Sequence, residues 1–382
     1  VNFDFTEDQK RIRDAVAEFA ASEIAPQVAA LEREERFPRE ILKGLAEMGV
    51  LGMMVPEEYG GAGADALSYI LVIEELARVC ASTAVIVSVT NSVFCYPLWK
   101  HGSDEQKSTI LTEVASGRSL GAYALTEPQS GSDAANQKTR AVRDGDSYVI
   151  NGSKAWITNA GEAKWYLVMT MTDPSAGTRG ITAFLVSSED EGLRIGPPED
   201  KMGLRSSKTA AIYFEDLRLP ATRRVGAEGE GFRIAMTTLD HSRIGIAAQG
   251  IGIARACFDA STEYARTRET FGKKLVEHEA IAFQIADMKV AIDAAQMLTY
   301  RAALASEKPG ARFSREASMA KVFATEAANT IAARAVQIFG GYGYSREYPV
   351  ERFYRDARVT TIYEGTSEIQ RIVISKNVLA EA

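Results

Sequence analysis

The sequence of 382 residues is two to three times the length of an ordinary domain of ~100–200 residues, so it divides into more than one packed unit. With 46% hydrophobic and 25% charged residues it can bury a large core, which excludes a disordered or low-complexity chain. The formal net charge of −7 excludes a general attraction to nucleic acid or anionic lipid, so any anionic ligand must be held by a local basic pocket.

In chain order, Thr6-Glu-Asp-Gln9 has the pattern of a capping box, and Ile12, Val16, Phe19 and Ile24 then recur at roughly helical spacing. Pro38 suits a first helical position before Ile41, Leu42, Leu45 and Met48, and Ser103-Asp-Glu-Gln106 offers a second capping box ahead of Ile110 and Leu111. Residues 1 to about 118 therefore read as all-helical. Within them Gly61-Ala-Gly-Ala-Asp-Ala66 matches a dinucleotide fingerprint formally, but Pro56-Glu-Glu-Tyr59 before it is no strand, so it reads as a loop before a helix. The longest apolar run, around Ala84 to Val89, falls far short of the ~20 residues that span a bilayer, so no membrane segment is expected. The acidic opening (Phe3, Asp4, Glu7, Asp8) lacks the pattern of a secretory or transit peptide. Cys80, Cys95 and Cys257 are widely separated and suggest a reducing compartment, with the cytoplasm as default.

The texture then changes. Leu120–Thr126, Tyr148–Asn151, Trp165–Thr172, Ile181–Ser187 and Ala211–Phe214 are short β-branched or aromatic runs, separated by turn residues such as Asp144-Gly145-Asp146. From about Glu230 long Ala-rich helices return at 231–266, 279–306, 313–339 and 367–380. The expected fold is α+β and mostly helical, with an N-terminal helical domain (1–118), a middle β domain (119–229) and a C-terminal helical bundle (230–382). That order is not the alternation of a doubly wound nucleotide-binding fold, so a nicotinamide cofactor is not expected.

Asp240-His241-Ser242 brings together the residue types of a hydrolase triad, but successive helical residues point about 100° apart and cannot relay a proton among themselves. His101, His241 and His278 are not paired at metal-ligand spacing, so no catalytic metal is expected. Tyr123 to Ser132 is more informative, because a strand there runs into a turn rich in hydroxyls and amides. Gly131 permits close backbone approach, and Thr126 and Ser132 offer hydroxyls to the heteroatoms of a planar cofactor. Trp156-Ile157-Thr158 adds an aromatic face and another hydroxyl.

Near the C-terminus, Glu364 stands between bulky side chains in Ile362-Tyr-Glu-Gly-Thr-Ser367, ahead of a capping-box pattern from Ser367 to Gln370. A carboxylate in an apolar pocket has its charged form disfavoured, so its pKa rises and it can serve as a base near neutral pH; a solvated surface glutamate is the plainer alternative. Gln337-Ile-Phe-Gly-Gly341 ends a long helix in paired glycines, which either stop the helix or let the backbone touch a ligand.

Together these segments resemble the acyl-CoA dehydrogenase family over essentially the whole chain and in the family's order. The likeness rests on Ala124-Leu-Thr-Glu-Pro-Gln-Ser-Gly-Ser-Asp133, Trp156-Ile-Thr158, Arg268 with Thr270-Phe-Gly272, Gln337 to Gly341, and Tyr363-Glu-Gly-Thr-Ser367. Within the family it is greatest to short-chain (butyryl-CoA) dehydrogenases, through Ser88-Val-Thr-Asn-Ser92, Lys154-Ala-Trp-Ile-Thr-Asn159, Thr238-Leu-Asp240 with Arg243-Ile-Gly245, and Tyr354-Arg-Asp-Ala-Arg358.

The resemblance implies FAD bound between the β domain and the C-terminal helices of a homotetramer arranged as a dimer of dimers. It places Tyr123, Leu125, Thr126, Gly131, Ser132, Trp156, Ile157 and Thr158 around the flavin ring, with Thr366 and Glu368 on the same subunit. Arg268, Phe271, Gln337, Gly340 and Gly341 would meet the adenine and pyrophosphate side across a subunit boundary, while Glu279 stands where many members carry Gln. Glu364 would remove the pro-R α-proton of an acyl-CoA thioester as the β-hydride passes to flavin N5, giving the trans-2-enoyl product. Its own N–H and a ribityl hydroxyl of FAD would stabilise the charge developing on the carbonyl oxygen.

By the same resemblance, Tyr363 and Gly365 would border the acyl chain, and Ser132, Asp240 and Arg243 would also face substrate. Ser242 occupies the position where isovaleryl-CoA dehydrogenases carry their glutamate, which leaves Glu364 as the matching base. Electrons would pass to an electron-transfer flavoprotein, in the cytoplasm or, for a mature eukaryotic chain, the mitochondrial matrix. The alternatives are a dehydrogenase of short branched acyl-CoA, a same-fold oxidase using oxygen, and a catalytically silent scaffold that binds acyl-CoA.

Overall fold

The computed structural model describes residues 4–310 and 312–380. Helices from Glu7 to Ala115 come first, then strands from Gly121 to Val225. The long helices Gly231–Thr267, Glu279–Ser306 and Ser314–Phe339 follow, with Val350–Thr360 and Ser367–Ala380 closing the chain. This is the mostly helical α+β order expected from the sequence. Both N-terminal capping boxes form: Thr6 accepts from Gln9 N, Ser103 accepts from Gln106 N, and each glutamine side chain reaches back to its cap. Asp65 caps the helix Ala66–Val79, so the glycines before it are a loop, as read.

Three local expectations need correction. Pro38 is the cap of the helix Arg39–Glu47 rather than its first residue. The capping box of Ser367 and Gln370 does not form; Thr366 caps one residue earlier, its Oγ accepting from Ile369 N at 3.3 Å, and Gln370 turns back onto the preceding turn. The helix Val350–Thr360 is not announced by apolar periodicity, because Glu351, Arg352, Arg355 and Arg358 interrupt a narrow buried stripe of Val350, Phe353 and Ala357.

The helix Ala81–Ser88 continues through a π-helical stretch, Val89–Cys95, into Tyr96–His101. By length and composition this segment could cross a membrane, but 94% of its apolar window is buried inside the protein, which makes it a core helix. Asn91 in the π-helical stretch fastens the neighbouring chain, its Oδ1 accepting from Met53 N at 2.8 Å and its Nδ2 donating to the Val50 carbonyl at 2.9 Å.

The sheet comprises β1 (Gly121–Ala124), β2 (Arg140–Asp144), β3 (Ser147–Thr158), β4 (Trp165–Met171), β5 (Ile181–Ser187), β6 (Leu193–Pro198), β7 (Thr209–Pro220) and β8 (Arg224–Val225). Their order is β6-β7-β3-β2-β4-β5-β8, with β1 parallel to β4. Every residue of β4 and β5 is buried, and side chains alternate between two cores. Tyr166, Val168, Phe184 and Val186 face one; Leu167, Met169 and Leu185 meet Phe94, Leu98 and Leu111 in the other. Strands covered on both faces read as unbroken apolar runs, which is why these two were legible. Strands β2 and β6 were not, since most of their side chains remain outside the core.

A third core joins the first and last helical segments, with Ile70, Ile73 and Leu76 packed in one cluster with Ile244, Ile251, Ala328 and Ala332. Gly252 allows that approach: a Cβ there would lie 2.5 Å from the Glu74 carbonyl oxygen.

Candidate active site

Between the helices Val350–Thr360 and Ser367–Ala380 a short turn carries Tyr363, Glu364 and Gly365. Glu364 has left-handed backbone at φ 51° and Gly365 follows at φ 97°. For a glutamate this conformation costs on the order of 1–3 kcal/mol and persists only where neighbours impose it. The neighbours are identifiable: the Gly365 carbonyl accepts from Lys321 Nζ at 2.6 Å and from Gln370 Nε2 at 2.9 Å, while Ser367 N donates to the Thr361 carbonyl at 3.0 Å. Glycine is needed at 365 on both counts, since a Cβ there would also sit 2.6 Å from Gln370 Nε2.

Glu364 is half-buried as a residue, yet its Oε2 is shut off from solvent with no hydrogen-bond partner among the described residues. Burial pushes the carboxyl up to about 7, against the opposing pull of the Ser242 hydroxyl, Lys321 and Arg243. Lys321 is fully buried, and burial pushes its ammonium down to about 7 against the attraction of Glu364. A carboxyl held there can take or release a proton near neutral pH.

Three buried phenols feel the charge of the same carboxylate. Burial first, and then the Glu364 charge, keeps Tyr123 and Tyr363 protonated; for Tyr69 burial outweighs hydrogen bonds with Ser88 and Ser92, and the Glu364 charge adds to it. The Tyr123 hydroxyl is buried without a hydrogen-bond partner among the described residues. Tyr363 donates to Gln249 Oε1, and Gln249 in turn donates to the Ala81 carbonyl at 2.9 Å, which ties the turn to two helices.

On the helix Gly231–Thr267, Arg243 Nη1 donates to Asp240 Oδ1 at 2.6 Å, the i, i+3 pairing their spacing allows, and the Ser314 hydroxyl donates to Asp240 Oδ2. Arg243 Nε is left buried without a hydrogen-bond partner among the described residues. No relay runs through Asp240-His241-Ser242. The His241 ring lies tilted against Tyr96 with centroids 3.8 Å apart, burial drives it down to about 3, and the Ser242 hydroxyl donates to the Leu239 carbonyl at 3.2 Å.

The Tyr123–Ser132 segment leaves β1 and is fastened beneath by a buried ion pair. Lys154 Nζ donates to the Leu125 carbonyl at 3.0 Å, Glu127 Oε1 at 2.8 Å and Gln137 Oε1 at 3.2 Å. Glu127 also accepts from the backbone of Lys138 at 2.7 Å and of Thr139 at 3.0 Å. A register shift between Lys154 and Ile157 bulges β3 against β7, and at that bulge Trp156 takes φ 61°. Trp156 is thereby 61% exposed, while the Ile157 side chain, 2% exposed, turns into the sheet core and has only its backbone to offer a ligand. Leu125 is buried, Thr126 and Thr158 are half-buried, and Gly131 and Ser132 are exposed, with nothing within 4 Å of a Cβ placed at Gly131.

Arg268, Gly340 and Gly341 come together elsewhere. They line an open cleft of ≈ 550 Å³ with Tyr264, Thr270 and Phe339, and neither Glu364 nor the 123–132 segment borders it. The Arg268 guanidinium lies 5.6 Å from the Tyr342 ring centroid. Gly340 has φ 61°, and a Cβ at 340 or 341 would meet nothing within 4 Å. Gln337 and Phe271, the latter 98% exposed, lie outside that lining. Thr366 is half-buried, and Glu368 and Glu279 are exposed at the starts of their helices.

Sequence reasoning missed Lys321 and the inward role of Gln370. A signal for Lys321 did exist: it falls on the stripe Ala317, Ala320, Ala324 and Ala328, where a solvated lysine would be out of place.

Family models match the chain in three consecutive parts: the acyl-CoA dehydrogenase N-terminal domain over residues 6–118, the middle domain over 122–217 and the C-terminal domain over 229–379. The short-chain-specific acyl-CoA dehydrogenase of Clostridium acetobutylicum is 46% identical over 375 residues, which cover 98% of this chain and 99% of that protein. Among solved structures, butyryl-CoA dehydrogenase from Megasphaera elsdenii superimposes with a TM-score of 0.97 at 43% identity, covering 99% of this chain and 100% of that one. A chain from work on the electron transferring flavoprotein of Acidaminococcus fermentans and flavin-based electron bifurcation matches at TM-score 0.98 and 45% identity, with 99% and 100% covered. With the motifs, the fold and the sequence matched from end to end, the chain belongs to the acyl-CoA dehydrogenase family.

Proposed function

We propose that this enzyme dehydrogenates short-chain acyl-CoA thioesters to trans-2-enoyl-CoA, with Glu364 as the base that takes the α-proton. As a family member it acts on acyl-CoA and depends on FAD. Its residues fit that cofactor. Trp156 presents an exposed ring, its neighbour Ala155 N donates to the Thr126 carbonyl at 2.9 Å, and the open backbone at Gly131 with the hydroxyls of Thr126, Ser132 and Thr158 suits a planar heterocycle. Arg268 and the bare backbone of Gly340 and Gly341 suit a pyrophosphate. When bound, FAD supplies the acceptor for the hydride that leaves the β-carbon.

The observation that carries this reading is the sealed, unpartnered Oε2 of Glu364. Desolvation raises its proton affinity toward the working pH, and the protonated carboxyl is neutral and at ease in the same pocket. The residue that faces it from the helix Gly231–Thr267 at position 242 is a serine and not a second carboxylate, which leaves Glu364 as the base of this pocket. Replacing Glu364→Gln should leave FAD bound while lowering turnover of butyryl-CoA by about 10²–10⁴-fold. Retained turnover would overturn the assignment.

Electrons then pass to an electron-transfer flavoprotein, a reading supported by the structural match to the Acidaminococcus system. Slow reoxidation of the reduced, enoyl-bound enzyme by air in stopped flow distinguishes it from an oxidase. We place the chain in a homotetramer of subunits with units at 1–118, 119–229 and 230–382. Phe283, Val290, Met297 and Leu304 support this: all are exposed, and they recur every seventh residue on one helix, a spacing that suits packing against another helix. Three free, buried cysteines fit a reducing compartment such as the cytoplasm or mitochondrial matrix. Rates across a C4 to C12 acyl-CoA series test the chain-length preference.

A further inference from the structure

An ammonium buried in a protein costs several kcal/mol unless it is paired and hydrogen-bonded. Lys321, fully buried on the helix Ser314–Phe339, has one hydrogen-bond acceptor among the described residues, and it is a backbone oxygen: the Gly365 carbonyl at 2.6 Å. Gln370, fully buried on the last helix, Ser367–Ala380, donates to that same oxygen at 2.9 Å and to the Glu364 carbonyl at 3.3 Å. Two helices therefore grip the Gly365 carbonyl, one of them also reaches the Glu364 carbonyl, and these two residues have consecutive positive φ values of 51° and 97°.

We propose that Lys321 is a positioning residue for the reaction: with Gln370 it clamps the Gly365 carbonyl, holds Glu364 in its left-handed backbone so that the carboxyl keeps its aim, and favours the carboxylate form by its charge. The clamp rests on the reading of Glu364 as the base. The charged groups facing Lys321 are Glu364 from the turn, Arg243 from the helix Gly231–Thr267, Glu368 from the last helix and Glu326 from its own; Arg243 opposes its charge and the three glutamates support it. Those facing Glu364 are Lys321 and Arg243, with the Ser242 hydroxyl and the phenols of Tyr69, Tyr123 and Tyr363.

The test uses the FAD-loaded enzyme with butyryl-CoA. Lys321→Met should keep the flavin spectrum and a KM within about two-fold, since the clamp does not touch substrate. Its kcat should fall roughly 10–100-fold through loss of aim. The acidic limb of kcat/KM should move up by about one pH unit, because losing a nearby positive charge disfavours the carboxylate. Lys321→Gln, which restores a donor without the charge, should recover part of kcat but keep the displaced limb. A folded, yellow Lys321→Met enzyme with unchanged kcat and limb overturns the clamp. If that variant does not fold, the limb of Lys321→Gln decides in the same way; if neither folds, kcat of Gln370→Met decides, and an unchanged value rejects the clamp. Glu364→Gln is the control: if it stays active the base assignment fails, whereas an inactive Glu364→Gln beside a normal Lys321→Met rejects the clamp alone.

Discussion

Lys154 and Lys321 are both shut away from solvent, and each lies near a glutamate, yet the two surroundings are built to opposite ends. Lys154 has three acceptors, and its partner Glu127 takes two backbone N–H groups as well. Burial pushes the Glu127 carboxyl up, but the Lys154 charge and these hydrogen bonds outweigh it and hold it below the ordinary value. Around Lys321 the donors exceed the acceptors, and Glu364 keeps one oxygen unanswered, so burial wins and its carboxyl rises to about 7. A buried charge whose bonds are complete fixes a loop in place; one whose bonds are left incomplete stays ready to exchange a proton. The first pair lies under the segment proposed to hold the flavin ring, the second at the proposed base.

The strongest way to break this comparison is Lys154→Met. It leaves Glu127 buried without a counter-charge and frees the Leu125 carbonyl, so the loss of stability should be about 3–5 kcal/mol, read from the urea midpoint of unfolding. FAD affinity should fall with it. Turnover per bound FAD should be nearly unchanged, because the Glu364 turn shares no hydrogen bond with this pair. A neutral effect on stability would mean that the pair is ornamental and the loop is held by its backbone bridge between Glu127 and Ser130 alone.

A smaller effect is expected at the other site from Gly365→Ala. The backbone at φ 97° disfavours any side chain, and the new methyl would meet Gln370 Nε2. Unfolding free energy should drop by roughly 1–3 kcal/mol, and turnover should fall more than stability does, since the displaced amide belongs to the clamp. Equal losses of stability and turnover would reduce the turn to a structural corner.

How much of this was legible beforehand depended on whether the cause was local. The capping boxes at Thr6 and Ser103 formed because cap and third residue find each other within one turn, whatever the rest of the chain does. Strands β4 and β5 were legible because burial on both faces leaves no polar interruption. The helix Val350–Thr360 escaped because its surface face is crowded with charge, and Trp156 owes its exposure to a bulge that no pattern of residue types announces. Glu364 stood out through the bulk of its immediate neighbours. Lys321 lies 43 positions away in sequence from it, and only the packing of two helices brings the ammonium to the turn.

The finest discrimination comes from the pH dependence of kcat/KM, which reports groups of the free enzyme. Glu364 must be unprotonated to accept the α-proton, and burial has moved it up from the ordinary 4.5 while bringing the facing Lys321 down to the same range, so kcat/KM for butyryl-CoA should rise with pH through a limb near 7 that belongs to the pair. Lys154→Met should leave that limb where it is, because neither Lys154 nor Glu127 is among the charged groups that face Glu364. In wild-type enzyme a limb near 4.5 would mean that the carboxyl at 364 is hydrated while it works, and the contrast between an answered and an unanswered glutamate would lose its functional meaning. A limb near 7 that moves in Lys321→Met and stays in Lys154→Met would assign the titration to the turn, where one lysine has more donors than the protein has given it acceptors.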